Sequence, residues 1–476
     1  MSTLATFRPP VGRRTDTTIA VGAAALGAAC VMGVVAVGAG SIMPIVLAGA
    51  VAVFAVVAVR PAIGAYIVFA STPLLAGIDR GTLVPTLRPS EAVTALVVAA
   101  LVSRSVWNGV ARGWHRPHIV RLDVAVVFFA VVGSLVPILW LAARGHAVEP
   151  DDVLYGLTLW KFVAVYALAR VAVATERELV RCLHISLAVG AIVAVIGILQ
   201  SVQVPGVTSF LGAFYSSYGD VGAVDIGRGG STLSLPIAAA DLFTFNAAIA
   251  IGFLAQSHRR RTTVVMLLLT ALYLVGVMAA AEFSGMLGAV IGLVVAAVMT
   301  RRLRLLAIAV PAAVVGAFAL RSVIATRLAG FRSASGLPES WSGRIRNLTT
   351  YFWPDLSRGN AFLLGVRPAA RVPVASQITG YVWIESGYMW LLWSGGIPLL
   401  LAFVWFVWCG IRRGLALARR RTGGGAVVGL ACVVALVVVA ALMPFDPHLT
   451  YRGSAELMFL LLGLASSRAA IRGDGP

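Results

Sequence analysis

The residues that could do chemistry in this chain are few, and they gather near the ends of apolar segments. Glu385 stands in Val382-Trp383-Ile384-Glu385-Ser386-Gly387-Tyr388, a carboxylate among apolar neighbours where a long hydrophobic run begins. An acid in the first turn of a helix is favoured by the helix dipole, which is the ordinary reading. Partial burial would lift its pKa towards the range useful to a general base, whereas a nearby arginine would lower it. The second group of residues is basic: Arg228 before one apolar run, and Arg344, Arg346, Arg367 and Arg371 in a long polar stretch before another. A guanidinium grips phosphate with two parallel hydrogen bonds and keeps its charge, so these arginines form a candidate anion site. A solvated basic loop is the alternative reading of the same residues. Lys161 follows Trp160 inside an apolar run. An intramembrane charge usually faces a cavity or a partner, unless it snorkels to the surface. Its prospective contacts are a lipid-linked phosphate or Glu282, the acid between two later runs. Tyr388, close by, reads as a packed aromatic at an interface.

The elements that must hold these groups follow from composition. Hydrophobic residues make up 59% of the 476 residues and charged ones 12%, and the mean hydropathy is +0.93, outside the range of soluble domains. The formal charge of +19 is no sign of nucleic-acid binding, because the arginines sit in short clusters between apolar runs. Cys30, Cys182, Cys409 and Cys432 show no CxxC spacing, so neither a disulfide nor a zinc site is expected. The six histidines lie in connecting loops or at span ends, without a HExxH pair. Arg13 and Arg14 precede the first apolar run, where a first membrane anchor fits better than an export signal because many runs follow.

A bilayer core needs about 20 apolar residues per helix. Runs of that order recur at 18–38, 42–59, 62–78, 90–106, 121–142, 153–172, 183–203, 232–256, 262–280, 284–300, 303–321, 384–410, 425–443 and 453–469. The expectation is an all-α polytopic transmembrane bundle of about fourteen spans, with both ends in the cytoplasm. Its parts are a cytoplasmic segment 1–17, eleven helices across 18–321, three across 384–469 and a cytoplasmic tail 470–476. Arginines at 13–14, 60, 104–121, 170–181, 259–261, 301–304, 412–421 and 468–472 all fall on one side of this plan, as the positive-inside rule requires. Two long segments then lie outside, 204–231 and 322–383. Loops of that length are functional or disordered, and the aromatic residues of the second favour an ordered lid resting on the membrane. The acids Glu149, Asp151 and Asp152 are taken as a solvated start of a span.

The chain resembles the O-antigen polymerase and O-antigen ligase superfamily of bacterial envelope enzymes. The resemblance is strongest in Glu385-Ser386-Gly387-Tyr388, followed at the family's spacing by Gly395-Gly396-Ile397-Pro398, with Glu385 where His or Asp is usual and Leu399 where a second glycine is common. Three more stretches follow the family's order: Arg228-Gly229-Gly230-Ser231-Thr232 to Pro236, Ser342-Gly343-Arg344, and Leu363-Leu364-Gly365-Val366. Phe283-Ser284-Gly285 stands where the family often has Ser-Arg-Gly, with Glu282 beside it. Together these cover residues 225–410; the first half matches in hydropathy only. The resemblance implies a GT-C-like glycosyltransferase in the bacterial cytoplasmic membrane with its site facing outside. It would act without metal or cofactor and with inversion, on a polyprenyl-pyrophosphate-linked oligosaccharide donor and a glycan acceptor. Glu385 would be the base, with Arg228 and Arg344 on the pyrophosphate, Arg346, Arg367 and Arg371 as further contacts, and Tyr388 lining the acceptor groove. Polymerase is favoured over ligase, and other envelope-polysaccharide assembly proteins are natural partners. Two rivals exist. A lipid-linked oligosaccharide flippase would need repeat symmetry or broken helices near mid-membrane, and a metal-dependent GT-C mannosyltransferase-like enzyme would keep acids in the first outer loop.

Overall fold

The computed structural model describes residues 43–80, 87–112, 118–215, 227–303, 339–374, 380–420 and 422–472, with isolated helical positions between 307 and 325. Of the expected spans, 18–38 and nearly all of 303–321 therefore lie outside the described residues. The described chain is helical almost throughout, as apolar surroundings demand, because a helix satisfies its own backbone groups where no water can. In order, the helices are α1 (Met43–Val59), α2 (Pro61–Leu75), α3 (Pro89–Arg112), α4 (Arg121–Ala143), α5 (Pro150–Gly156), α6 (Thr158–Ala172), α7 (Glu176–Ser201) and α8 (Pro205–Phe214). There follow α9 (Pro236–Gln256), α10 (Arg260–Ala280), α11 (Phe283–Thr300), α12 (Glu339–Asn347) and α13 (Trp353–Ser357). Last come α14 (Gly387–Ala418), α15 (Gly423–Leu442), α16 (Ser454–Ala465) and α17 (Arg468–Arg472). Among the described residues nine helical stretches are long and apolar enough to cross a membrane, and three shorter apolar helices accompany them. The protein is a multi-pass membrane protein of helical class.

The core sits around α9, which packs against α7, α10, α11, α15 and α16 and is buried along nearly its whole length. Small residues make that possible. A Cβ on Gly276 would meet the Phe243 ring at 2.9 Å, and one on Gly252 would meet Val427 at 2.8 Å. Close approach through glycine and alanine is how helices gain packing where lipid gives no hydrophobic drive. Stacked rings of Phe129, Phe406, Phe459 and Phe162 tie α4, α14, α16 and α6 together. The expected run 153–172 answers to α5 and α6, which join through a single turn residue, Leu157, and together make one of the nine stretches.

The two long segments are largely built of short elements where they are described. The first contains α8 and a 3-10 turn, Ser231–Leu233. The second contains α12, a π turn (Leu348–Phe352), α13, a 3-10 stretch (Arg358–Leu363) and a hairpin of β1 (Arg371–Pro373) with β2 (Tyr381–Trp383), antiparallel with Val372 opposite Val382. The hairpin feeds directly into α14. Within α14, Gly396 takes φ +65° ahead of Pro398, and a Cβ there would run into the Leu363 carbonyl. From the other side, a Cβ on Gly365 would meet Gly395 N at 2.9 Å, and Val366 N donates to the Trp393 carbonyl at 2.7 Å. The Leu363-to-Val366 turn thus lodges in the bend of α14, and each glycine is required by the other's backbone.

Candidate functional site

The start of α14 anchors the site. The Ser386 hydroxyl caps the helix by accepting from Met389 N at 3.5 Å, and Gly387 N donates to the Met443 carbonyl at 2.7 Å. That second bond holds the connection 443–453, between α15 and α16, against Glu385. Arg344, from α12, then bridges two acids: its Nη1 lies 2.6 Å from Asp446 Oδ2 and its Nε 3.8 Å from Glu385 Oε1. Asn347 Nδ2 donates to Glu385 Oε2 at 3.4 Å, and the Tyr451 hydroxyl donates to Asp446 Oδ1 at 3.0 Å. Glu385 retains 37% of its side-chain exposure while Asp446 keeps 4%, so Glu385 is the group a solute can reach. Burial pushes the Glu385 carboxyl above its usual range against the pull of Arg344 and Asn347, and Asp446 pushes it the same way. Asp446 is also raised by burial, with Arg344 and His448 opposing. Three chain segments far apart in sequence thereby assemble a partly desolvated carboxylate beside a guanidinium, which is what a general base requires.

The other arginines expected at an anion site are engaged by carboxylates. Arg367 makes a two-pronged contact with Asp152, Nε to Oδ1 at 3.0 Å and Nη2 to Oδ2 at 2.8 Å, and also reaches Glu149 at 3.1 Å. Ala369 N adds a bond to Asp152 at 3.2 Å. Arg371 pairs with Asp151 and lies 4.1 Å from the centre of the Tyr381 ring. The expectation of a solvated acidic span start is therefore corrected: Asp152 is 0% exposed, and the acids latch the segment 367–371 onto α5. Phe352 packs edge-on to Trp393, whose indole donates to the Ala369 carbonyl at 2.9 Å, securing the same segment to α14.

Arg228 pairs with Glu282, and Gly229 N donates to the Ala279 carbonyl at 2.9 Å, joining two of the sequence stretches singled out above. Glu282 is thus not the partner of Lys161. Lys161 Nζ lies 2.8 Å from Glu456 and 3.9 Å from Glu91, and Arg80 lies 3.8 Å from the same Glu91. Tyr388 is a packing residue: its hydroxyl donates to the Ala440 carbonyl at 2.8 Å and its ring meets Phe403 edge-on. Arg346 points its side chain outward, exposed on α12. No family model, curated protein or solved structure matches this chain. What it does has to be read from the site itself.

Several of the groups assembled here were not among the residues expected from sequence. Asp446 and His448 lie in Phe445-Asp446-Pro447-His448, and His448 Nδ1 lies 2.8 Å from Asp241 Oδ2 on α9, both side chains almost wholly buried. Asp241 is an acid within an apolar run, the same signal that marked Lys161. Arg80, Arg88 and Arg452 stand in connections that the alternation of basic loops should have left free of arginine. Among the described residues no group of three or more His, Cys, Asp or Glu side chains is placed to hold a metal ion. A cleft of about 540 Å³ between α4 and α6 is bordered by Val127, Phe128, Val163 and the Asp123 to Arg170 pair. It opens at the opposite end of these helices from Lys161, so it is no part of the Glu385 site.

Proposed function

We propose that this protein is a membrane glycosyltransferase of the O-antigen polymerase and ligase kind, acting on polyprenyl-pyrophosphate-linked oligosaccharides at the outer face of a bacterial cytoplasmic membrane. The observation that carries the proposal is Arg344 standing between Glu385 and Asp446 at the mouth of α14. In the proposed step an acceptor hydroxyl attacks the anomeric carbon of the donor sugar and gives its proton to Glu385. The bond from that carbon to the diphosphate oxygen breaks, and its electron pair leaves with the diphosphate. Arg344 sets the acidity and position of Glu385, while fixed cations nearby stabilise the charge that develops on the leaving group. Inversion follows from a single displacement. Polymerase is preferred to ligase, the acceptor being a second lipid-linked glycan.

Further support comes from the contacts that the family-like stretches make. Ser342-Gly343-Arg344 reaches the start of α14, Leu363-Leu364-Gly365-Val366 fills the bend made by Gly395 and Gly396, and Arg228-Gly229 joins Glu282. Two of the stretches thus meet the third at α14, while the Arg228 stretch meets the Glu282 segment. The buried Asp241 to His448 pair is a feature that a flippase would also use, in moving protons or glycans through the bundle. The discriminating experiment supplies purified protein in vesicles with a labelled polyprenyl-pyrophosphate oligosaccharide. A lengthened or transferred glycan is the expected outcome; label that crosses the bilayer with no new glycosidic bond would select the flippase instead.

A further inference from the structure

The cleft between α4 and α6 has one charged end and one apolar end. On α4 its lining comes from Asp123, Val127 and Val131, each a turn from the next, and on α6 from Val163, Ala167 and Arg170. The helices run antiparallel, so the start of α4 meets the end of α6: Arg170 Nε lies 2.7 Å from Asp123 Oδ1. From Asp123 to Val131 a helix rises about 12 Å, close to the roughly 15 Å of hydrocarbon in one leaflet. Spread over that depth, the cleft's volume of about 540 Å³ is a channel about 7 Å wide, narrower than the 10 Å or so of an α-helix. Val124, Val127, Phe128 and Val171 are each more than 40% exposed, so the channel opens outward from the bundle, where lipid is the solvent.

At the charged end the acid is satisfied from within the protein. Besides the Arg170 contact, Asp123 Oδ1 accepts from the Tyr166 hydroxyl at 2.5 Å and Oδ2 from Val120 N at 2.7 Å. The cations around it are not balanced in the same way. Arg121 opens α4 and Arg412 lies in the last turns of α14; both are exposed, and both are within electrostatic reach of Cys409. Among the described residues no carboxylate pairs with either of them. Arg412 stands over the Trp408 ring, 5.7 Å from its centre, and Trp405 packs edge-on against Phe128 in the cleft wall at 5.3 Å. Tryptophan is the residue that anchors a helix where hydrocarbon gives way to headgroups. Other arginines at this end are taken up by helix carbonyls, Arg104 by Val59, Arg413 by Ala465 and Arg420 by Ala470. Arg121, Arg170 and Arg412 instead face one engaged acid at the mouth of an apolar channel.

We infer that this cleft binds an anionic phospholipid of the leaflet remote from Glu385, with its phosphate among Arg121, Arg170 and Arg412 and one acyl chain along Val127, Val131 and Val163. The lipid's negative charge supplies the counter-ion that the protein does not, through charge-assisted bonds from guanidinium to phosphate. A zwitterionic lipid fills the same channel without that gain. The site lies at the other end of the bundle from Glu385 and stands whether or not that residue is a base.

The test is native mass spectrometry of the full chain, purified in detergent and titrated with phosphatidylglycerol and, separately, with phosphatidylcholine. Wild type should bind phosphatidylglycerol more tightly than phosphatidylcholine. The double variant Arg121→Gln/Arg412→Gln should shrink that preference by about 30-fold, about five-fold for each charge lost, and leave phosphatidylcholine binding as it was. Both positions are exposed, so this variant keeps its fold. Ala167→Trp, which fills the channel, should weaken retention of both lipids. Arg259→Gln, at an exposed arginine just before α10, should change neither. Equal affinity of wild type for the two lipids would overturn the site, as would a loss of preference in Arg259→Gln as large as in the double variant. Unchanged lipid retention by Ala167→Trp would remove the channel from it. A dimer in the same spectra that Ala167→Trp splits, with no lipid preference, would give the cleft to a second copy of this chain and overturn the inference equally.

Discussion

The two ends of the helical bundle use arginine in different proportions: carbonyl contacts gather at one and ion pairs at the other, although Arg170 also pairs with Asp123 at the first. At the end of α3, α14 and α16 remote from Glu385, arginines bond to helix carbonyls: Arg104 to Val59 at 2.7 Å, Arg413 Nε to Ala465 at 2.8 Å and Arg420 to Ala470 at 2.7 Å. The last carbonyls of a helix lack intrahelical partners and carry the negative end of its dipole, so a cation there satisfies both needs. At the Glu385 end the arginines oppose side-chain acids instead, Arg344 with Asp446, Arg367 with Asp152, Arg371 with Asp151 and Arg228 with Glu282. One end is fastened by topology signals doing second duty as caps. The other is a layer of ion pairs, in which Glu385 stands as a reachable carboxylate.

Changes at the two ends should therefore fail in different ways. The largest effect is expected from Glu385→Gln, which keeps shape and removes the proposed base: transfer from a lipid-linked donor should fall by about 10²- to 10⁴-fold with the unfolding temperature little changed. Asp152→Ala comes next, since it leaves Arg367 without its buried counter-ion; the loss should be about 3–5 kcal/mol, read by thermal unfolding in detergent. By contrast Arg413→Ala, at the other end, removes one charge-assisted bond to a carbonyl and should cost about 1.5–3 kcal/mol without altering the pH dependence of transfer.

A smaller but more diagnostic pair concerns acidity. As the proposed base Glu385 must be ionised, so transfer should rise as pH climbs through its pKa, which burial holds above the ordinary carboxylate range. Arg344 pulls that pKa down and Asp446 pushes it up. Arg344→Ala should move the acidic limb of the pH-rate profile to higher pH, and Asp446→Asn should move it lower. Shifts in the same direction would contradict the arrangement. Least affected should be Arg346→Ala, at an exposed position, with stability within about 0.5 kcal/mol of wild type.

Much of the scaffold was legible because membrane physics leaves few options: an apolar run of sufficient length has to be a helix, and the helices that answer runs 121–142, 262–280 and 284–300 begin and end within a few residues of them. Glu385 at a helix mouth and Lys161 as a charge in need of a partner were equally readable, from the dipole and from the cost of a bare ion in lipid. The partners were not. Arg367 finds Asp152 across 215 positions, and Lys161 finds Glu456 from a different end of the chain, distances over which local pattern carries no information. Arg80, Arg88 and Arg452 were not legible as neighbours, because they stand in separate short connections that only the packed bundle brings together.

The most direct measurement is transfer itself. Purified wild-type and Glu385→Gln proteins are each given a synthetic polyprenyl-pyrophosphate oligosaccharide, and the products are weighed by mass spectrometry across a range of pH. Wild type should yield a glycan longer by one unit together with free polyprenyl diphosphate, and the variant at least about a hundred-fold less of each. A wild-type protein that forms no glycosidic bond with any acceptor supplied, or a Glu385→Gln protein as active as wild type at every pH, would contradict the account.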